Sequence, residues 1–321
     1  MKKLGFYIIS FLAVMSSVLF QSCSKNYCAT PISASSNANL LSAYATIGSS
    51  SYFDGPTGIQ YFNNHLWVAN WSTFLQKWAT IGAAPVTTIW TYNSGVSFTE
   101  VNGDGIDPVT GNVYVCDEYN NQIAVFNQAG DFLAVFGSAQ MSVSGPTIPY
   151  GSIPMGVAVN SSGTTVYALG LYSNSVYVYS VGGTASSPTY NFQYNFGSTG
   201  SGATTLNYPY NLRIDNGGNV WVADQLNHRL AKYSGSGTYL NSFQVTGIDA
   251  NFSPVDVLVD GQGDVYGLDS DAGVVVKFNS YGIVLGQFGK GILSSPGGIT
   301  TDGSGNFFVT SRNPQEIVAF H

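Results

Sequence analysis

Asp224, Asn227, His228 and Arg229 fall within one short stretch, "VWVADQLNHRL" (220–230). A carboxylate, an imidazole and a guanidinium so close together are the parts of a proton-transfer site: a general base, an acid to orient it, and a cation to hold an anion. A second polar set is spread along the chain. Asn211 and Asp256, with Asp54, Glu100 and Asp104, supply oxygens that suit a polar ligand or a divalent ion such as Ca2+, and Arg213 adds a guanidinium beside them. Whether either set is a site depends on the elements that hold it.

Those elements repeat. "LWVAN" (66–70), "VYVCD" (113–117), "VYALG" (166–170), "VWVAD" (220–224), "VYGLD" (265–269) and "FFVTS" (307–311) start 47, 53, 54, 45 and 42 residues apart. Each leads through a polar corner to a second apolar run ending in an aromatic, such as "NQIAVF" (121–126) or "HRLAKY" (228–233). Each is preceded by a lead strand, such as "PMGVAVN" (154–160), "PYNLRID" (209–215), "PVDVLVD" (254–260) or "PGGITTD" (296–302). Asx-Gly turns separate the strands. A fourth strand follows several turns: "DFLAVFG" (131–137), "NFQYNFG" (191–197), "IVLGQFG" (283–289). Four strands in roughly 45 residues make one blade of a β-propeller.

Residues 209–235 resemble an NHL repeat. The family pattern is Pro-x-Gly-apolar, then Gly-Asn-apolar-Tyr-Val-Ala-Asp, then Asn-His-Arg, then Phe-Asp-x-x-Gly, and this unit nearly completes it. The other units match in part, and the resemblance covers roughly residues 42–320. It implies an all-β fold: a six-bladed propeller of four-stranded antiparallel blades. The last unit ends at Phe320-His321, before a fourth strand. The segment "AYATIGSSSYFDGPTGI" (43–59) parallels "LGQFGKGILSSPGGI" (285–299). Residues 42–48 are therefore expected to complete blade six and close the ring, covering its open edges.

Within this frame His228 aligns with Phe74, Asn121, Asn174, Gly273 and Gln315, so a corner role fits it better than catalysis. Asp224 aligns with Asn70, Asp117, Gly170, Asp269 and Ser311, and is expected to accept backbone N–H bonds in the turn. The lead-strand glycine position holds Gly58, Gly103, Gly156, Asn211, Asp256 and Gly298; two residues on stand Gln60, Gly105, Ala158, Arg213, Leu258 and Thr300. Blades four and five break the pattern, which predicts a polar cluster of Asn211, Arg213 and Asp256 near one end of the channel. Asp54, Glu100 and Asp104 are candidates to join it. The competing reading is a buried ion pair with no ligand.

Enzymatic readings are weaker. "DGP" (54–56) is similar to the Glu-Gly-Pro of gluconolactonase-type propellers, which hold a divalent metal. In that family the Asn and Asp ligands precede the lead-strand glycine position, where this chain has Tyr210 and Val255. Alternate side chains of a strand point to opposite faces, so the offset argues against the same site. The amidating lyases of similar fold use several histidines around zinc; here a strand entrance, a corner and the terminus hold His65, His228 and His321.

Charged residues are only 8% of the 321 and aromatics reach 14%, as in a turn-rich extracytoplasmic protein. Lys2 and Lys3 precede an apolar run from Leu4 to Phe20, and "FQSC" ends at Cys23, which resembles a lipoprotein signal with cleavage after Ser22. The expected organisation is a signal peptide at 1–22, a tether at 23–39 and the propeller at 40–321, with Cys23 lipidated. In a diderm host Ser24 favours the outer membrane; without lipidation of Cys23 the product would be secreted. The lipid would be the only membrane contact. The mature chain has 8 Lys+Arg against 17 Asp+Glu, which disfavours nucleic acid. Cys116 is expected to be a small buried residue. Segments 138–153 and 182–208 read as long loops rich in Ser, Gly, Thr and Tyr. The function this predicts is a monomeric, envelope-anchored binding or scaffold module for protein or carbohydrate. No cofactor is required, apart from the Ca2+ that the channel cluster could hold. The alternative is a metal-dependent, lactonase-like hydrolase.

Overall fold

A computed structural model describes residues 40–79, 84–92, 95–142, 151–245 and 251–321. The expected signal peptide, Cys23 and the expected tether lie outside the described residues, as does 143–150 within the first expected long loop.

Six four-stranded antiparallel sheets are present among the described residues. Blade one is Pro56–Phe62, His65–Asn70, Phe74–Ala79 and Pro85–Ile89. The lead strands of the other blades are Val101–Ile106, Pro154–Val159, Pro209–Ile214, Pro254–Val259 and Pro296–Thr301. Each lead strand touches those of both neighbouring blades, around the full circle. The chain therefore forms a six-bladed β-propeller with the lead strands at its centre. Five of the six begin with proline, which suits a first strand position where no ladder N–H is needed.

The blades pack through an aromatic in each third strand. Trp78, Phe126, Tyr179, Tyr233, Phe278 and Phe320 are all buried. Each contributes about 1.5–3 kcal/mol of burial energy. Between the second and third strands, corner residues Asn121, Asn174, His228 and Gly273 take left-handed φ of 50–63°. That conformation is least strained for Gly and Asn and is tolerated by His.

Blade six is Pro296–Thr301, Phe307–Arg312 and Gln315–Phe320, completed by Ala43–Ile47. The N-terminal strand pairs antiparallel with the last one, from Ala43 opposite Phe320 to Ile47 opposite Ile317. The expected closure is present.

One expectation needs correction. The first part of 182–208 is not a loop. Ser175–Thr184 and Ser187–Phe196 form a hairpin longer than any other in the molecule's described part. Tyr190 holds it down by stacking on Phe136 at 4.1 Å and donating to the Tyr114 hydroxyl at 3.0 Å. Glycines and serines near its tip mask the alternation that marks a strand.

Candidate functional site

Each lead strand carries an irregularity in register shortly after its first residue. Such bulges re-aim side chains locally. The strands are also very close there. A Cβ on Gly103 would lie 2.2 Å from the Met155 carbonyl oxygen, and one on Gly156 would lie 2.4 Å from Asn211 Oδ1. Blades four and five place polar side chains into this tight ring.

Arg213 donates through Nη2 to Asp256 Oδ2 at 2.8 Å and through Nη1 to the Asp104 carbonyl oxygen at 3.3 Å. Asp256 also accepts from the Val257 N–H at 2.8 Å and the Ile299 N–H at 3.0 Å. Asp104 is fully buried, and neither carboxyl oxygen meets a donor among the described residues. Burial pushes the Asp104 carboxyl well above the usual carboxylate range; Arg213 opposes the shift and Asp256 adds to it. Burial also raises Asp256, against Arg213 and the two N–H donors. Asp256 has the donors that favour the charged form, and Asp104 has none. Asn211 does not join the group: its side-chain oxygen accepts the N–H of Leu212 at 2.8 Å.

Asp54 and Glu100 stand elsewhere, on the end face where lead strands begin and second strands finish. They line one cleft of about 410 Å³ with Trp71, Ser72, Arg312 and Gln315. Trp71 donates its indole N–H to Glu100 Oε2, and Arg312 lies over the same ring, 5.3 Å from its centroid. Arg312 also donates to the Tyr210 hydroxyl at 3.1 Å. Beside them, Glu118 accepts from the buried Asn102 amide. The Glu118 carboxyl is pushed up to about 7, first by burial and then by the Glu100 charge, against the Asn102 bond.

Trp71, Glu118 and Arg312 escaped the sequence reading. They occupy the position one residue past the aligned second-strand stretch, together with Leu171, Gln225 and Ser270. That position differs in all six blades, and its variety was the available signal.

The polar run at 224–229 is a clamp. Arg229 Nε donates to Asp224 Oδ2 at 2.7 Å, and its Nη2 donates to the carbonyls of Gly202 and Thr205. Asn227 holds the Gly200 carbonyl at 3.0 Å, and His228 Nδ1 lies 2.9 Å from the Phe252 carbonyl. Asp224 accepts the Asn207 N–H at 2.7 Å. Asn70 and Ser311 likewise accept from Asp54 and Ser294. The backbone N–H groups these Asx and Ser side chains accept belong to the segment entering their own blade; Asp224 holds its adjacent turn only through the Asn227 side-chain amide at 2.8 Å, and Asp269 alone of this aligned set is shown accepting turn backbone N–H groups, from Asp271 and Ala272. Cys116 is buried, and burial pushes its thiol up.

Among the described residues no three His, Cys, Asp or Glu side chains gather as ion ligands. Asp256 is engaged by Arg213 and two backbone donors, and Asp54 lies out on the end face. The residues proposed for Ca2+ therefore do not assemble into a shell.

No family model matches the sequence, and no curated protein matches it. Solved structures do match by fold. A protein of unknown function from Bacteroides thetaiotaomicron is 16% identical with a TM-score of 0.65, over 89% of this chain and 73% of that one. Virginiamycin B lyase from Staphylococcus aureus, solved with quinupristin, is 14% identical with a TM-score of 0.60, over 86% and 84%. A chain of a nidogen/laminin complex is 13% identical with a TM-score of 0.53, over 73% and 79%. At such identities the likeness is one of fold: the chain is a six-bladed β-propeller with structural neighbours of virginiamycin B lyase type.

Proposed function

We propose that this chain is an NHL-type propeller that works as a binding or scaffold module, holding a protein or carbohydrate partner on its end face. One observation carries the reading. This end presents Trp71, Tyr119, Tyr208 and Leu226 to solvent, each from a different blade corner or blade entry. Exposed aromatics beside small polar residues make adaptable contact surfaces. A propeller of similar fold in a nidogen/laminin complex supports protein binding as a use of this architecture. Fold alone does not assign function.

Anchoring at the envelope is part of the proposal and rests on "FQSC" at 20–23. Labelling with a radioactive fatty acid should mark the wild type and not Cys23→Ala. The binding reading is tested by capture from envelope extract. A Tyr119→Ala/Leu226→Ala variant should lose its partner. Tyr281→Ala, in a turn at the opposite end, should keep it. Equal capture by both variants would refute the assignment of the face.

A further inference from the structure

The cleft holding Asp54 and Glu100 continues into a second one. The second, of about 560 Å³, is lined by Tyr52, Thr73 and Trp90, and the two share Asp54, Ser72 and Gln315. Together they form one groove running from the channel mouth across the corner of blade one. Each part is of the size of ordinary ligand pockets.

Two indoles mark this groove. Trp71 is 47% exposed and Trp90 is 55% exposed. Both are fixed in orientation: Trp71 by Glu100 and Arg312, and Trp90 by Phe74, whose ring centroid is 4.4 Å away. An aromatic platform already held in place loses little freedom on binding.

The remaining lining selects the ligand chemistry. Asp54, Glu100 and Gln315 supply acceptors, while Ser72 and Thr73 supply hydroxyls. Arg312 is the one basic side chain among the described residues lining the groove, and it is engaged by Tyr210 and Trp71. A polyanion would face carboxylates. No Val, Leu, Ile or Met lines the groove among the described residues, so it has none of the aliphatic pockets that anchor helical or extended peptides. A pyranose chain fits both features. Its C–H faces pack on the electron-rich indole faces, and its hydroxyls donate to the carboxylates and amide.

We propose that this groove on blade one binds a neutral oligosaccharide, with Trp71 and Trp90 as its stacking platforms. The proposal rests on the end face being the ligand face and names the ligand class for it.

The test is a fluorescence and calorimetric titration with cellohexaose, xylohexaose, mannohexaose and chitohexaose, with polygalacturonate as the anionic control. At least one neutral hexamer should bind and shift the tryptophan emission. Trp71→Ala and Trp90→Ala should each weaken it about tenfold, the weight of one stacked ring, and Tyr281→Ala should not. Melting curves establish that the variants fold. If Trp71→Ala does not, protection of the wild-type indoles from N-bromosuccinimide by the bound hexamer replaces it. Failure of all four hexamers, binding of polygalacturonate alone, or binding indifferent to both tryptophans would overturn the proposal. A photo-crosslinker at Tyr119, outside the groove, separates the two readings. A captured protein with no hexamer bound leaves the face assignment standing and removes the saccharide; no capture and no hexamer removes both.

Discussion

Arg213 and Asp256 meet at 2.8 Å across two neighbouring lead strands, 43 residues apart in sequence, with side chains almost wholly buried. In the other blades the Asp256 position is glycine or Asn211, and the Arg213 position is Gln60, Gly105, Ala158, Leu258 or Thr300. The pair is an addition to the repeat rather than part of it.

Breaking that pair should be costly, and removing it whole should cost less. Arg213→Ala leaves a buried carboxylate without its cation, at about 3–5 kcal/mol. Adding Asp256→Asn to Arg213→Ala should recover a large part of that loss. Chemical denaturation of the two single variants and the double variant closes the cycle. Strictly additive losses would mean that the two side chains do not stabilise one another.

Asp104 should be a stability liability. Five blades place an aliphatic residue at its position: Ile59, Val157, Leu212, Val257 and Ile299, all buried. Asp104 puts a buried carboxyl without a donor there. Asp104→Val should stabilise the fold by about 1–3 kcal/mol, the usual penalty of an unsatisfied buried polar group. A lower melting temperature for the variant would show that the carboxyl makes stabilising interactions.

The closing strand should be a large contributor. Ile47 is buried and Ala45, Thr46 and Ile47 all pair with the last strand. Ile47→Ala should lose about 2–4 kcal/mol. Deleting residues 40–48 should lower the melting temperature further, because it also exposes the edge of Gln315–Phe320. An unchanged melting temperature in the deletion would mean that the ring is held without this strand.

The blade frame was legible because it is written several times. Each lead-strand proline, Asx-Gly turn and terminal aromatic recurs in register, so errors in one copy are corrected by the others. Arg213 and Asp256 were legible for the same reason, as departures at aligned positions of adjacent blades. Asn211 was grouped with them because alignment gives a residue's place in a strand but not its hydrogen bonds; the bulge lets its side chain fold back onto Leu212 N–H. Asp54 and Glu100 precede their lead strands, and the chain there runs over the end face, so neither reaches the channel. Trp71 and Glu118 lie in corners and Arg312 at the end of its strand, where no alternation constrains residue type. Their meeting with Glu100 and Tyr210 is a consequence of ring closure between blades one, two, four and six.

Glu118 should make stability depend on pH in a definite direction. Its carboxyl titrates near 7 in the fold, against 4.5 ordinarily, because of burial and the neighbouring Glu100 charge. Between those values the folded chain keeps a proton that the unfolded chain has released. Stability from this group is therefore complete below about 4.5 and is lost as pH rises through about 7. The loss is on the order of 2 kcal/mol once solvent screening near the end face is allowed for. Glu118→Gln keeps a hydrogen-bonding side chain beside Asn102 and never ionises. Melting temperatures measured from pH 4.5 to 8 should fall for the wild type and fall less for Glu118→Gln, with the gap opening as pH rises. Parallel curves would assign the titration to another group. A gap that closes with rising pH would mean that the ionised form is the one the fold favours.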